Sequence, residues 1–430
     1  MTTTSNGPLA RILRAVSKIE AHEVRATAFS FLFVFTLMAA YFIVRPLRDA
    51  MASDWSRTET SFLWTLTFFA SVIGVMVYGF VISRVRFSKV VPGVYLFFAI
   101  SFVLFYAGSS LVTDPTLVDK AFYVWLSVFS LFHVSVFWSF MSGMYNSGQA
   151  KRLFAVIATG ASVGAMVGPI IPGFFVESIG EMNLLLITAA LQLVPVMLVP
   201  QLEQLKVTQL GNEGRTADLS EAKRLAKNPF SGFVAFVKNP YLLAIGLFIV
   251  MYVTMSTFVY MELREMLAVF ERPERTAINA RIDFAVNFLA ILTALMVTGR
   301  VASRFGVGVV LAAIPVMMVA GWLIVAAIPL LAVMIGLQIA RRSGNYAVTK
   351  PGREMLFTVV SDDERYKAKP VIDICVYRGG DMVTAWFHTG LKEVLALSSS
   401  GVAVVAAIIA GAWAIVGVYL GRQYEEASSE

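Results

Sequence analysis

The sequence predicts an all-α membrane protein with twelve transmembrane helices in two halves of six. Of its 430 residues, 58% are hydrophobic and 15% are charged, whereas soluble domains carry about 25% charged residues. A transmembrane helix needs about 20 mostly apolar residues, and runs of that kind recur along the chain. Because the spans and short loops leave no room for a soluble catalytic domain, we expect no enzyme activity.

Twelve apolar runs define the predicted spans, and their edges are set to within a few residues. The runs cover 26–44, 60–82, 90–111, 121–144, 153–176, 183–200, 241–261, 282–299, 307–328, 329–349, 370–390 and 399–420. Residues 1–25 before them carry apolar positions at helical spacing among basic ones, which is typical of a helix on an anionic membrane face. We expect this segment and the tail, 421–430, to lie in the cytoplasm.

The distribution of basic residues supports that orientation. With the N-terminus inside, the predicted inner loops are rich in Lys and Arg, while the basic residues of the outer loops are fewer and mostly accompanied by Asp or Glu. The net charge of +7 therefore reflects positive inner loops and not a nucleic-acid partner. We predict that the inner loops act as gates through four basic residues, Arg84, Lys151, Arg152 and Arg304.

The longest polar stretch, 201–240, separates an N-terminal half, 26–200, from a C-terminal half, 241–420. A weak repeat relates the halves, because Ser83-Arg84 after the second run recurs as Ser303-Arg304 after the eighth. Six spans plus six with an internal repeat is the arrangement of the major facilitator transporters. We therefore expect a major facilitator-like architecture with 201–240 as a cytoplasmic linker.

Ionisable residues within spans are costly to bury and are therefore candidates for function. Arg45, Arg48 and Asp49 close the first run around Pro46, and Glu262, Arg264 and Glu265 close the seventh. Two interpretations stay open for these clusters. Either the side chains extend to the outer membrane interface, or they flank a cavity that opens outward.

The tenth run ends in an unusual density of positive charge. Cytoplasmic loop charge explains Lys350 and Arg353, but Arg341 and Arg342 come only about a dozen residues into the run. For this pair, a buried position facing a cavity and a cytoplasmic position are both open.

The eleventh run contains Asp373, Arg378, Asp381 and His388, and the last three share one helical face. An Arg378–Asp381 pair would serve either as a structural strut or as a gate. His133 in the fourth run is expected to be a core histidine with satisfied hydrogen bonds.

Arginine outnumbers isolated carboxylate across these spans, which favours an anionic substrate, since guanidinium groups match phosphate or carboxylate oxygens. No phosphate-binding G-x-x-x-x-G-K-[ST] element occurs, so transport energy must come from a gradient or from exchange. With three His and one Cys, we expect no metal and no other cofactor.

The run KPGREMLFTVVSDDERYKAKPVIDICVYRGGD from Lys350 resembles the signature region of the ATP/ADP translocase family of plastids and obligate intracellular bacteria, and of its shorter bacterial relatives. Residues 45–49 resemble the basic element of that family after the first span. Residues 149–152, before GASVGAMVG, resemble its element between the fourth and fifth spans.

That resemblance implies a facilitator-like fold, exchange of nucleotides, and a place in a bacterial inner (plasma) membrane. Arg48 and Arg353 match basic residues of the family, and Glu262 matches an acidic one. At Gln149, the exchangers carry an acidic residue where this chain is neutral.

We therefore expect alternating access to an anion, with these substrate-binding residues: Arg48, Arg341, Arg342, Arg353 and Arg378. Glu262 and Asp381 are the expected counter-ions. The alternatives are proton-coupled transport of another organic anion, with Asp373, Asp381 or His388 carrying the proton, and a non-transporting receptor on the same fold. Besides the lipid bilayer and this substrate no partner is predicted, and the oligomeric state stays open.

Overall fold

A computed structural model describes residues 19–84, 87–212, 230–293, 299–361, 364, 368–369 and 371–429. Every regular element within these ranges is a helix. Most of the predicted surface segment at 1–25 and the middle of the predicted linker at 201–240 lie outside the described residues.

Within the described residues, seven α-helices precede the linker. They are α1 (Val24–Met51), α2 (Arg57–Arg84), α3 (Phe87–Leu111), α4 (Thr116–Met144), α5 (Ser147–Val167), α6 (Ile170–Ile179) and α7 (Asn183–Thr208). Asn146 begins α5 through a capping box with Gln149, which satisfies two backbone N–H groups at the helix start. The turn between α6 and α7 contains Gly180 at φ 85°, a conformation that glycine adopts without steric cost.

The α-helices described after the linker follow in a second series. They are α8 (Phe230–Lys238), α9 (Pro240–Leu267), α10 (Arg272–Thr293), α11 (Gly299–Ala327), α12 (Leu331–Gly344), α13 (Lys350–Leu356), α14 (Tyr377–Thr389) and α15 (Ser399–Ser429). Asn239 caps α9 by accepting from the backbone N–H groups of Tyr241 and Leu242. Gly306 at φ 78° and ψ 168° kinks α11 near its start.

Ten helical segments of the described residues are long and apolar enough to cross a membrane. They coincide with the predicted spans one to nine and twelve. The predicted tenth span is interrupted, because a π-helical turn at Asn345–Thr349 separates α12 from α13. The eleventh is likewise divided, since π-helical turns at Val371–Val376 and Gly390–Val394 flank α14. Neither contains an α-helix of spanning length.

The first helix extends further than its apolar run. The run ends at 44, whereas α1 continues to Met51 with Pro46 inside it. Arg45, Arg48 and Asp49 therefore lie on the last turns of a helix and not in a loop.

The chain forms two compact units. The first comprises the described residues within Met1–Arg48, Gly74–Lys223 and Thr276–Phe284. In it, α3 packs against α7 and α4. The second comprises those within Asp49–Ile73, Arg224–Arg275 and Ala285–Glu430. There α11 packs along α15, and α9 contacts α12, α14 and α15 around the fully buried Trp322 and Trp413.

A stripe of glycines lets two helices of the first unit approach closely. Gly160, Gly164 and Gly168 follow one another every four residues on the face that α5 turns to α1. A β-carbon on Gly160 would lie 2.7 Å from the Phe31 carbonyl oxygen, and one on Gly168 would lie 2.6 Å from that of Ala39. Small residues allow such close backbone contact. The contact supplies van der Waals attraction, which matters in a membrane because helices surrounded by lipid have no hydrophobic driving force to associate.

Gly164→Ala tests this contact, because the added methyl group would overlap the Phe35 carbonyl oxygen. We expect a loss of about 1–3 kcal/mol of unfolding free energy from overpacking, measured as a lower midpoint of thermal unfolding in detergent. Gly93→Ala is the matched control, since a β-carbon there meets nothing within 4 Å. Equal midpoints for the two variants would contradict the close-packed α1–α5 contact.

Candidate functional site

The charges at the end of α1 are held inside the first unit. Arg45 Nη1 lies 3.6 Å from Oδ1 of the buried Asp283. Arg48 Nη1 donates to Ser127 Oγ at 3.4 Å, and the guanidinium of Arg48 lies 5.4 Å from the centre of the Tyr123 ring. Both arginines are half-buried. Arg48, predicted to bind substrate, is therefore placed along α4 with a hydroxyl and an aromatic face as neighbours.

A buried carboxylate organises the charges of the second unit. Glu262 is 1% exposed, and its Oε1 lies 2.9 Å from His388 Nε2 and 2.9 Å from Lys392 Nζ. Lys392 Nζ also lies 3.7 Å from Glu265, which accepts two hydrogen bonds from Arg57 at 2.6 and 2.8 Å. These contacts join five side chains into one network, here called the Glu262 network: His388, Glu262, Lys392, Glu265 and Arg57.

The sequence singled out two members of the Glu262 network as coupling or counter-ion residues, Glu262 and His388. Lys392 and Arg57 were not predicted as site residues. The signal for Lys392 was present, because it follows His388 by one helical turn and so shares its face.

Arg264 lies on α9 with Glu262 and Glu265, but it donates hydrogen bonds to the turn after α1. It is buried, and its Nη1 lies 2.7 Å from the carbonyl oxygens of Ala52 and Trp55 and from Thr60 Oγ1. Arg272 and Arg275 bind the Asp54 carboxylate of the same turn at 2.6 Å each. The Arg264 side chain is therefore held by the turn after α1 and by Thr60 at the start of α2.

Arg341 and Arg342 are both buried, at the end of α12. Arg341 is 3% exposed and donates through Nη2 to Gln338 Oε1 at 2.7 Å. Its Nε and Nη1 atoms have no hydrogen-bond partner among the described residues. Its ionisable neighbours are Arg342 and two tyrosines, Tyr252 and Tyr377.

The other two predicted arginines have carboxylate partners. Arg353 Nη2 lies 3.1 Å from Glu354 Oε1 and 3.4 Å from Asp373 Oδ1. Arg378 Nη1 lies 3.7 Å from Asp381 Oδ2. Asp373 and Asp381, predicted as coupling or counter-ion residues, are therefore paired with members of the arginine set.

The predicted gate residues are described only in part. Lys151 is exposed, whereas Arg152 donates to the two carboxylate oxygens of the fully buried Glu23 at 2.7 and 3.1 Å. This pair ties the residues before α1 to the start of α5. The backbones of Arg84 and Arg304 are helical, but their side chains lie outside the described part of the structure.

Gln149 is buried at the turn between α4 and α5. Its side-chain oxygen accepts from the backbone N–H of Asn146 at 3.1 Å and from Asn212 Nδ2 at 2.7 Å. Its Nε2 donates to the Leu210 carbonyl oxygen at 3.4 Å. An amide donates and accepts at once, so it suits this position, where an ionised carboxylate would only accept.

Comparison with known proteins places the chain in a family. The model of the Major Facilitator Superfamily matches residues 27–348. The chain belongs to the Major Facilitator Superfamily. The facilitator-like fold predicted from the sequence is thereby confirmed at the level of an all-helical bundle.

Two curated relatives of this facilitator are each named ADP,ATP carrier protein 1. They come from Chlamydia muridarum and from Chlamydia trachomatis serovar D, are 22% identical to it, and are matched over 92% of this chain and 87% of their own length. The resemblance to the ATP/ADP translocase family is therefore confirmed along most of the chain.

Two solved structures share the fold of this facilitator. A mutant of the nucleoside transporter NupG superposes with a TM-score of 0.59 at 13% identity, over 94% of this chain and 99% of that one. A bacterial homologue of the human lysosomal transporter Spinster, in an inward-facing conformation, superposes with a TM-score of 0.55 at 12% identity, over 96% and 98%.

Glu262→Gln tests whether the Glu262 network stabilises the second unit. The amide removes the negative charge that lies 2.9 Å from His388 and Lys392 and leaves Lys392 only the carboxylate of Glu265 at 3.7 Å, so we expect a loss of about 3 kcal/mol of unfolding free energy. Glu203→Gln is the control, because the Glu203 side chain is 34% exposed and forms a long surface pair with Lys206 at 3.8 Å. Its effect on the unfolding free energy should stay below about 0.5 kcal/mol. Thermal unfolding in detergent measures both, and similar shifts would show that the network contributes no more than a surface pair.

Proposed function

We propose that this facilitator is a secondary transporter that exchanges nucleotides, or a related phosphorylated anion, by alternating access. Membership of the Major Facilitator Superfamily supports transport. The names of its curated relatives, which are ADP,ATP carriers, support a nucleotide as substrate. The observation that carries the proposal is the buried guanidinium of Arg341.

A buried positive charge is stable only beside a counter-charge or enough hydrogen-bond acceptors. Gln338 accepts a hydrogen bond from Arg341 and Tyr252 forms a further side-chain hydrogen bond with it, but both are neutral groups, and Arg342 adds a second positive charge. The described residues leave Nε and Nη1 without acceptors. A phosphorylated anion offers several oxygens that would accept from both atoms and place negative charge beside Arg341.

The remaining arginines fit the same chemistry. Arg353 and Arg378 hold carboxylates at 3.4 and 3.7 Å, longer than the 2.6–2.9 Å of the tightest pairs in this protein. We propose that phosphate oxygens replace Asp373 and Asp381 on these arginines when substrate binds. The two carboxylates restore the pairs when it leaves, which is the counter-ion role that the sequence predicts for Asp381. Arg48 is proposed as the anion-binding residue of the first unit.

The proposed transporter spans the membrane twelve times, with halves at 26–200 and 241–420 and both termini in the cytoplasm of a bacterium. Support for the two additional spans comes from the backbone. Cap residues on both sides of the π-turn at Asn345–Thr349 keep right-handed helical angles, so segments of 14, 5 and 7 residues continue as one helical path. The segments of 6, 13 and 5 residues at Val371–Val376, Tyr377–Thr389 and Gly390–Val394 also continue as one helical path.

A second function is proton-coupled transport of another organic anion. The contact that favours it is the 2.9 Å approach of His388 to Glu262, since this buried pair can hold or release a proton. Collapse of uptake under a protonophore, with no need for internal nucleotide, would distinguish it from exchange.

Exchange is tested in proteoliposomes loaded with unlabelled ADP and supplied with labelled ATP outside. We expect uptake that depends on internal ADP, and a decrease of about tenfold or more in Arg341→Lys, which keeps the charge but loses the planar group with several donors. Arg353→Ala should also lose uptake.

Arg422→Lys is the matched control, because Arg422 is exposed near the end of α15. A folded Arg341→Lys protein that exchanges like the wild type would contradict the anion-binding role of Arg341. No uptake of any nucleotide by folded wild-type protein would contradict nucleotide exchange, and a panel of organic anions under a proton gradient would follow.

The twelve-span topology is tested with single cysteines in a Cys375→Ser background, since Cys375 is the only cysteine. Leu330→Cys, Ser361→Cys and Leu395→Cys each alter an exposed residue between helices. In intact cells, a membrane-impermeant thiol reagent should label positions 330 and 395 but reach 361 only after lysis. Labelling of all three from the same side would contradict spans ten and eleven.

A further inference from the structure

An aromatic stack with an unsatisfied nitrogen lies between α1 and α4 in the first unit. The His133 imidazole stacks on Phe129 at a centroid distance of 4.9 Å and an interplanar angle of 26°, and Tyr41 lies tilted against it at 4.9 Å and 33°, with Tyr41 and Phe129 themselves 6.4 Å apart. His133 is 4% exposed. Tyr95 of α3 donates to the His133 carbonyl oxygen at 2.8 Å. The ring is therefore fixed in position by contacts from three helices.

The hydrogen bonds of His133 determine which nitrogen carries the proton. Nδ1 lies 3.3 Å from the Phe129 carbonyl oxygen, and because a carbonyl oxygen can only accept, Nδ1 is the donor. A second proton would charge the ring among aromatic side chains, which is unfavourable. Nε2 is therefore a hydrogen-bond acceptor, and no described residue gives it a donor. The sequence expectation of a fully satisfied core histidine is wrong for this atom.

This acceptor lies along the same helices as the proposed anion-binding residue of the first unit. Tyr41 and Arg48 are two turns apart on α1, about 10 Å along its axis and on one face. On α4, the contact of Tyr41 is His133 and the contact of Arg48 is Ser127. The contact between α1 and α4 thus has the guanidinium of Arg48 at one end and the hydrogen-bond acceptor of His133 at the other. A nucleotide has the matching polarity, with phosphates at one end and a planar base at the other.

We propose that His133 reads the base of the transported nucleotide. Its Nε2 accepts a hydrogen from an exocyclic amino group, so bases that carry one, such as adenine and cytosine, are favoured. Hypoxanthine and uracil present a keto oxygen at that position and would set two acceptors against each other, with no hydrogen between them. This inference rests on the proposed nucleotide exchange and adds the residue that determines base specificity.

The test compares two nucleotides that differ at that position. Wild-type protein in proteoliposomes loaded with ADP is supplied with labelled ADP or labelled inosine diphosphate, and then with CDP or UDP. We expect the amino member of each pair to be exchanged about tenfold more efficiently, the effect of one buried hydrogen bond. Equal exchange of ADP and inosine diphosphate would overturn the inference and leave nucleotide exchange standing. No exchange of any nucleotide would overturn both.

The variant His133→Phe keeps a stacked ring but removes the acceptor. We expect it to lose the preference for ADP over inosine diphosphate while still exchanging both. Trp125→Phe is the matched control on α4, since it removes a ring N–H that donates to Ser101 of α3; the preference should persist. A preference unchanged in folded His133→Phe would overturn the role of His133. If that variant does not fold, His133→Gln serves instead: its amide can accept from an amino group or donate to a keto oxygen, so we expect it to exchange ADP and inosine diphosphate about equally, and a full preference for ADP there would overturn the role as well.

Discussion

The cost of leaving an ionised side chain without a partner among apolar helices decides where the charged residues of this facilitator lie. Glu262 is the clearest case. Its carboxylate is buried in α9, and it is stable there because α14 brings His388 and the following turn brings Lys392 to within 2.9 Å. The same requirement places Arg264 against the backbone carbonyls of the turn after α1. Each pairing joins segments distant in sequence, so the charges also fix how the second unit packs.

Among the buried polar atoms that the described residues leave without a hydrogen-bond partner, those of two residues bear on the proposed substrate. Arg341 Nε and Nη1 and His133 Nε2 are buried polar atoms without partners there. They differ in kind, because Arg341 offers donors and positive charge whereas His133 offers an acceptor in an aromatic setting. Taken separately, the donors of Arg341 match anionic oxygens, and the acceptor of His133 matches an amino-bearing ring.

The sequence predicted the positions of ten spanning helices because long apolar runs are needed for spans and are visible without any tertiary information. It placed the end of α1 too early, since Arg45 and Arg48 look like interfacial residues until Asp283 and Ser127 are known to reach them. The π-turn at Asn345–Thr349 was not predictable, because one inserted residue barely changes the hydrophobic pattern. The candidate site shows the same division. The sequence identified Glu262 and His388 because ionisable side chains within spans are costly to bury. It could not show that these two residues, 126 positions apart in the chain, lie 2.9 Å from each other.

Gln149 shows how a difference from the exchangers should be weighed. By the family resemblance, a carboxylate stands at this position in the exchangers, and its loss would argue against an exchanger if the residue bound substrate. In this protein, the Gln149 amide is used fully by its surroundings, accepting from Asn146 and Asn212 and donating to Leu210. All three partners belong to the turns that follow α4 and α7. The neutral residue thus completes a local hydrogen-bond network, whereas the residues proposed to bind the nucleotide are Arg341, through its donors, and His133, through an acceptor. The missing charge at 149 therefore bears on how α4 and α5 are joined, and it leaves the case for a nucleotide substrate as strong as those two residues make it.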